Sequence, residues 1–241
     1  MSDSRRIILL RHGRTSWNAE RRFQGQADPP LDEVGRRQAY EVAPLIAALR
    51  PDVLISSDAQ RAAQTADPVA AITGLDLVLD ARLRERSLGH WEGLTRPEVA
   101  ERYPEEFAAW IAGKDVSQFG RGGESRDAVA ARSIAVFEEL PDVPTAVLVT
   151  HGATSMALAA AILGLSQTVH SLGPLANCHW SELMVEYHAA PSAPGAAKTT
   201  WSGEPGEAIW RLRAHNVGVP GVVVPLPAQP DEADDASDAE A

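Results

Sequence analysis

Ile7-Ile8-Leu9-Leu10-Arg11-His12-Gly13 is the stretch on which the reading of the fold turns. Four aliphatic residues that end at a polar pair and a glycine read as a short strand, buried on both faces, feeding a sharp turn. The pattern returns twice. Val53-Leu54-Ile55 runs into Ser56-Ser57-Asp58 with Arg61 a turn later, and Ala146-Val147-Leu148-Val149 runs into Thr150-His151-Gly152. Continuous apolar strands alternating with helical segments predict an α/β fold: three layers, a mainly parallel central sheet and helices on both faces. In such sheets ligands sit outside the carboxyl ends of the strands. Those ends are where the polar residues fall. A single His-Gly at a strand end is ordinarily a hydrogen-bonded structural histidine. Two at matching positions, with arginines nearby, point to a site for chemistry.

Outward from these strands, Asp32 is a candidate N-cap for a helix to about Leu49, with Val34, Val42, Leu45, Ile46 and Leu49 on its apolar side. Pro44 predicts a kink or a shorter first segment there. Asp58 is read as opening a helix through Arg61 and Thr65 that is remodelled at Pro68. Leu75 to Leu79 reads as a short strand, and Thr95 to Trp110 as a polar helix interrupted by Pro104. A long helix is expected over Glu124 to Leu140, with Val129, Ile134, Val136 and Phe137 inward. An apolar helix over Ala153 to Leu163 ends at Gly164. Trp180 to Tyr187 and Ala208 to Ala214 read as two later strands that pair. Ala189 to Gly206, rich in Pro, Gly, Ala and Ser, reads as a loop. The expected organisation is one domain over residues 1–217 and a proline-containing, then acidic, tail over 218–241 that cannot bury enough apolar surface to order.

The 241 residues carry a net charge of −11, and Asp231 to Ala241 alone hold six acids and no base. An acidic body argues against nucleic acid as a partner, because such binding needs a basic face to displace counterions. Of the 22 cations only Lys114 and Lys198 are lysines. The single cysteine, Cys178, excludes an intrachain disulfide and reads as a core residue. No apolar run approaches the roughly 18 residues of a membrane span, and Ile7 to Leu10 is too short for a signal-peptide core, so no membrane role and a cytoplasmic location are expected. No clustered carboxylates or His-x-x-x-His pair stands at a strand end, so neither metal nor cofactor is expected. His90, His170, His179, His188 and His215 have no motif around them and read as structural or exposed.

Leu10-Arg11-His12-Gly13-Arg14-Thr15-Ser16-Trp17-Asn18 resembles the signature of the histidine phosphatase superfamily, in its phosphoglycerate-mutase-like branch. The likeness continues through Phe23-Gln24-Gly25-Gln26-Ala27-Asp28, Leu31 to Gly35, Ser56-Ser57 with Arg61, and Leu83-Arg84-Glu85-Arg86 with Gly89, Trp91, Glu92 and Gly93. It ends with Gly122-Gly123-Glu124-Ser125 and Thr150-His151-Gly152. By that resemblance His12 is the nucleophile that takes a phosphoryl group, and neighbouring cations keep its imidazole neutral. Arg11 and Arg61 present guanidinium forks to the equatorial oxygens, and His151 stands opposite as a further donor. Asn18 and the backbone N–H of Gly25 or Gly152 complete the cradle. Glu85 protonates the leaving oxygen and then activates water. Arg14 is read as facing either the substrate or solvent. Glu92 is the nearest alternative acid in sequence.

The superfamily holds mutases and hydrolases. Only the 28 residues Leu94 to Arg121 separate Gly93 from Gly122, without the long basic insertion of the mutases. Gly122 to Ser125 with Arg132 is similar to the phosphatase members. A metal-independent phosphomonoesterase acting on a small phosphorylated metabolite is therefore the expectation, with mutase-type transfer and a silent phospholigand-binding module as the alternatives. Gly122 to Ser133, Asn177-Cys178-His179-Trp180 and Ile209-Trp210-Arg211-Leu212 together resemble actinobacterial glucosyl-3-phosphoglycerate phosphatases. Other phosphosugar, broad acid and ribazole phosphatases stay open as readings, and so does a homodimer.

Overall fold

The computed structural model describes residues 5–119, 122–168, 172–187 and 208–220. In chain order they form β1 (Arg6–Arg11), α1 (Ser16–Ala19), α2 (Glu33–Ala48), β2 (Val53–Ser56), α3 (Gln60–Thr73), β3 (Leu77–Leu79), α4 (Arg96–Arg102), α5 (Pro104–Ile111), α6 (Arg126–Glu138), β4 (Thr145–Thr150), α7 (Gly152–Ile162), β5 (Trp180–Tyr187) and β6 (Ala208–Val217). Short 3-10 turns cover Ala81–Leu83, Gly89–Trp91 and Val116–Phe119.

The sheet runs β3-β2-β4-β1-β5-β6. The first four strands are mutually parallel, and β5 and β6 add an antiparallel pair at one edge. Alternate side chains of β1 feed two cores, as strand geometry requires. Ile8 and Leu10 pack with Val42 and Ile46 of α2 and Ala62, Ala66 and Val69 of α3. Ile7 and Leu9 pack with Val136 of α6 and Leu158 and Ala159 of α7. Strand β4 is buried at all six positions because it lies between β2 and β1 with a helix layer on either side. The three-layer architecture read from the sequence is the one observed. Its packed body reaches Val219, which lies against the first core.

Several local readings change. Helix α2 runs through Pro44 without a break; Asp32 is its N-cap, accepting from Gly35 N at 2.8 Å. Asp58 does not cap α3. The cap position is Ala59, and the Gln60 N–H is taken instead by Asp28 Oδ1 at 2.8 Å, from a loop 32 residues earlier. Helix α3 also continues through Pro68. Pro104 opens α5 rather than interrupting a helix, as suits a residue with fixed φ and no N–H. The sixth helix begins at Arg126, with Ser125 as its cap. The strand read over Leu75–Leu79 shortens to three residues. The loop over 189–206 and the tail beyond Pro220 lie outside the described residues.

A third, smaller cluster sets Trp91, Val99 and Val116 against Phe23, Tyr103, Phe107 and Trp110. It braces the segments that carry Glu92 and the 24–28 loop beside the sheet.

Candidate active site

The carboxyl ends of β1, β2 and β4 bring His12, Ser57 and His151 together. The turn after β1 is stitched on both sides. His12 N–H donates to Thr150 O at 3.0 Å, Cys178 N–H to Arg11 O at 3.1 Å, and Asn177 Nδ2 to the His12 carbonyl at 3.0 Å. His12 Nδ1 lies 2.7 Å from Gly13 O. A carbonyl accepts only, so Nδ1 carries the proton and Nε2 keeps its lone pair. Burial, then Arg61 and Arg11, hold the His12 pKa well below its usual 6.5. A neutral imidazole with a free Nε2 is the form that attacks phosphorus.

The His151 ring centroid is 5.1 Å from that of His12. Its Nε2 pairs with Ser57 Oγ at 2.9 Å, while its buried Nδ1 has no hydrogen-bond partner among the described residues. Burial and the same arginines depress its pKa as well. Arg61, only 1% exposed, donates from NH2 to Gly25 O at 2.9 Å and from NH1 to Ala27 O at 2.7 Å. Gly25 adopts φ +52°, and a Cβ there would overlap the Glu92 carboxylate. Arg11 donates from NH1 to Leu175 O. The Nε atoms of both arginines are buried without partners among the described residues. Two cationic N–H groups are thus desolvated and available to an anion, and His151 Nδ1 is a further donor in the tautomer in which Ser57 Oγ–H donates to its Nε2. Leaving them unpaired costs free energy that a phosphoryl group recovers.

Glu85 supplies the carboxylate. Its Oε1 accepts from Arg86 N at 2.8 Å and Thr154 N at 3.1 Å, and its Oε2 accepts from Ala153 N at 3.1 Å. The carboxylate therefore covers the N-terminus of α7, where the helix dipole favours an anion. Oε2 has the single donor and keeps a lone pair for a transferred proton. It also faces the cradle: a Cβ built on Gly152 would sit 3.7 Å from Glu85 Oε2 and 3.7 Å from Arg11 Nε. Asn18 spends its Oδ1 on Thr15 N–H at 3.1 Å and Asn177 Nδ2 at 3.3 Å, which leaves its own Nδ2 for a ligand. A cleft of about 100 Å³ lined by Gln26, Asp28, Asp58, Ala59, Arg61, Arg84 and Glu85 opens beside the cradle.

Other residues take structural roles. Glu92 accepts from the N–H groups of Gln26, Ala27 and Leu88 at 2.9 to 3.2 Å and staples two loops together. Arg14 turns away to Asp32 at 2.8 Å. Burial pushes the Cys178 thiol up to about 12. His90 pairs with Glu106 at 3.0 Å, and His215 bridges Ser181 and Gly173; His170 and His188 lie outside the described residues. Sequence reasoning gave Ser57 and Asn177 no role, and only their motif positions signalled them. Among the described residues no group of three or more His, Cys, Asp or Glu converges as metal ligands, and no helix is long and apolar enough to cross a membrane.

The family model described as histidine phosphatase superfamily (branch 1) matches residues 7–191. The chain is similar to the glucosyl-3-phosphoglycerate phosphatase of Mycobacterium tuberculosis (strain CDC 1551 / Oshkosh), with 39% identity over 203 residues, covering 79% of this chain and 89% of the relative. It is 37% identical to the protein of that name from Mycolicibacterium vanbaalenii over 226 residues, covering 88% and 94%. The solved structure of a mycobacterial glucosyl-3-phosphoglycerate phosphatase with VO3 superposes with a TM-score of 0.72 at 35% identity, over 89% of this chain and all of that one. With His12, Arg11, Arg61, Glu85 and His151 gathered at the strand ends, the chain belongs to the histidine phosphatase superfamily and is a phosphatase.

Proposed function

We propose that the chain hydrolyses glucosyl-3-phosphoglycerate through a phosphohistidine on Nε2 of His12, without a metal. The observation that carries this is the free Nε2 of a buried neutral imidazole beside the Nε–H groups of Arg11 and Arg61, which have no partner among the described residues, and the ring of His151. The two guanidiniums and the imidazole donor meet the charge on the equatorial oxygens that a metal ion would otherwise meet. The choice of substrate is supported by the names of the relatives, and a cleft lined in part by Gln26, Asp28 and Asp58 lies beside the cradle.

In the first step Nε2 bonds to phosphorus as the ester P–O bond breaks, and Glu85 gives its proton to the departing oxygen. Before that step a protonated Glu85 gives up one acceptor position, and Oε2 is the one with room. In the second step Glu85 takes a proton from water. The hydroxide oxygen bonds to phosphorus, the P–N bond breaks, and inorganic phosphate and neutral His12 are released.

Enzyme quenched in acid during turnover of glucosyl-3-phosphoglycerate should carry acid-labile, base-stable phosphate, and the His12→Ala variant should carry none and release no phosphate. Turnover by His12→Ala, loss of activity on chelation, or interconversion of 2- and 3-phosphoglycerate in place of phosphate release would each overturn this reading.

A further inference from the structure

Glu85 sits in a stretch without helix or strand. Residues 84–88 follow the 3-10 turn at Ala81–Leu83 and belong to no ladder. What fixes the backbone there is a set of side chains from elsewhere in the chain. The carbonyls of four successive residues each accept one. Arg132 NH1 donates to Arg82 O at 2.6 Å, Thr150 Oγ1 to Leu83 O at 2.8 Å, Thr154 Oγ1 to Arg84 O at 2.8 Å, and Arg132 NH2 to Glu85 O at 3.1 Å. Two of the four come from one guanidinium.

That guanidinium is itself held. Arg132 Nε and NH2 form a fork on Glu124, at 2.8 and 3.0 Å. Glu124 Oε2 reaches on to the Ser87 N–H at 2.9 Å and to Gln26 Nε2 at 3.3 Å, and Gln26 Nε2 also donates to Glu85 O at 3.3 Å. Backbone pairing adds Glu124 N–H to Ser87 O at 3.0 Å. Gly123 packs so close to the Ser87 carbonyl that any Cβ would overlap it. The pair thus grips the segment before Glu85 through Arg132 and the segment after it through Glu124. The side chains of both are largely buried, at 18% and 24% exposure, so water competes weakly.

We propose that the Arg132–Glu124 pair is the positioning device for the Glu85 carboxylate, holding it at proton-transfer distance from the leaving oxygen while touching neither substrate nor the phosphoryl cradle. This inference rests on reading Glu85 as the acid and base of the reaction. A displacement of about 1 Å in a catalytic group costs about 10²-fold. That cost falls selectively on the step that needs the proton. A sugar or glycerol alkoxide is too basic to leave unprotonated, whereas 4-nitrophenolate departs unaided.

The test compares single-turnover phosphorylation of His12 by glycerol 3-phosphate and by 4-nitrophenyl phosphate in the wild type, Glu124→Gln, Arg132→Lys and Glu85→Gln. Glu124→Gln and Arg132→Lys should lose about 10²-fold with glycerol phosphate and stay within a few-fold with nitrophenyl phosphate, with inorganic phosphate binding unchanged. Glu85→Gln should show the same selectivity, more strongly. Equal losses on both substrates in the pair's variants, with selectivity kept in Glu85→Gln, would refute the positioning role alone. Equal losses in Glu85→Gln would refute the acid role of Glu85, and the inference with it. Glu124→Gln is nearly isosteric, so it supplies the comparison even where Arg132→Lys melts below assay temperature.

Discussion

His12 and His151 are 2% and 0% exposed and share the field of two buried guanidiniums, so both are neutral in the folded protein well below pH 6.5. The sign of the consequence follows from proton binding. The unfolded chain protonates each near pH 6.5 and the folded chain does not, so the unfolded state binds more protons below that pH. Stability is unaffected above about pH 6.5 and falls as pH drops below it. Each histidine should cost stability progressively as pH falls below that value, on the order of 1 kcal/mol for one pH unit. Urea unfolding of His151→Asn should therefore show a smaller stability drop between pH 7.5 and 5.5 than the wild type, by about that amount. An unchanged drop would show that His151 is not held neutral. The same burial keeps the His12 imidazole, the nucleophile in the proposed reaction, unprotonated in mildly acidic solution, where an exposed histidine would be largely blocked.

At the level of elements, the site depends on how closely the turn after β1 approaches the first turn of α2. Gly13 and Gly35 face each other there. A Cβ on Gly13 would come within 2.6 Å of Gly35 O, and a Cβ on Gly35 would overlap the Arg14 carbonyl. Backbone atoms on both sides leave no flexible side chain to yield. The Gly13 N–H also donates to Thr65 Oγ1 at 3.0 Å, which ties the turn to α3. Gly35→Ala should therefore push α2 off the turn and destabilise by about 1–3 kcal/mol, the usual range for overpacking. Activity should fall with it, because Nδ1 of His12 is oriented by the carbonyl of Gly13. Chemical denaturation and phosphatase assays read both effects. A variant as stable and active as the parent would show that the two elements slide apart freely.

Across the whole molecule, ligand binding and folding are linked through the cradle. The Nε–H groups of Arg11 and Arg61 and the Nδ1 of His151, without partners among the described residues, exist as a set only when β1, α3 and β4 are assembled. An anion that fills the cradle binds the folded state alone and raises its stability by mass action, by about 2.7 kcal/mol at a hundredfold excess over Kd. Inorganic phosphate should raise Tm in a concentration-dependent way, and Arg61→Ala should abolish the rise. An equal rise in that variant would place phosphate binding elsewhere. The acidic chain makes generic anion binding a weak competitor, since its net charge is −11.

The local pattern of the sequence was enough for the parallel sheet, the strand ends and the placement of His12 and His151. The short aliphatic runs at 7–10 and 146–149 are buried on both faces, that at 53–55 fully only at Leu54, and the glycine after each histidine marks the turn. Asp32 was legible as a cap because capping acts over three residues. Resemblance, rather than pattern, singled out Glu85. What only the tertiary structure decided were the bonds between distant residues. Arg14 turned to a cap, Glu92 became a staple, Asp28 rather than Asp58 met the start of α3, and Arg132 and Glu124 closed around Glu85. The longer of these contacts join residues 18 to 66 positions apart. A long-range hydrogen bond leaves no periodicity in the chain, because its partner is set by where two folded segments meet and not by what either one prefers alone.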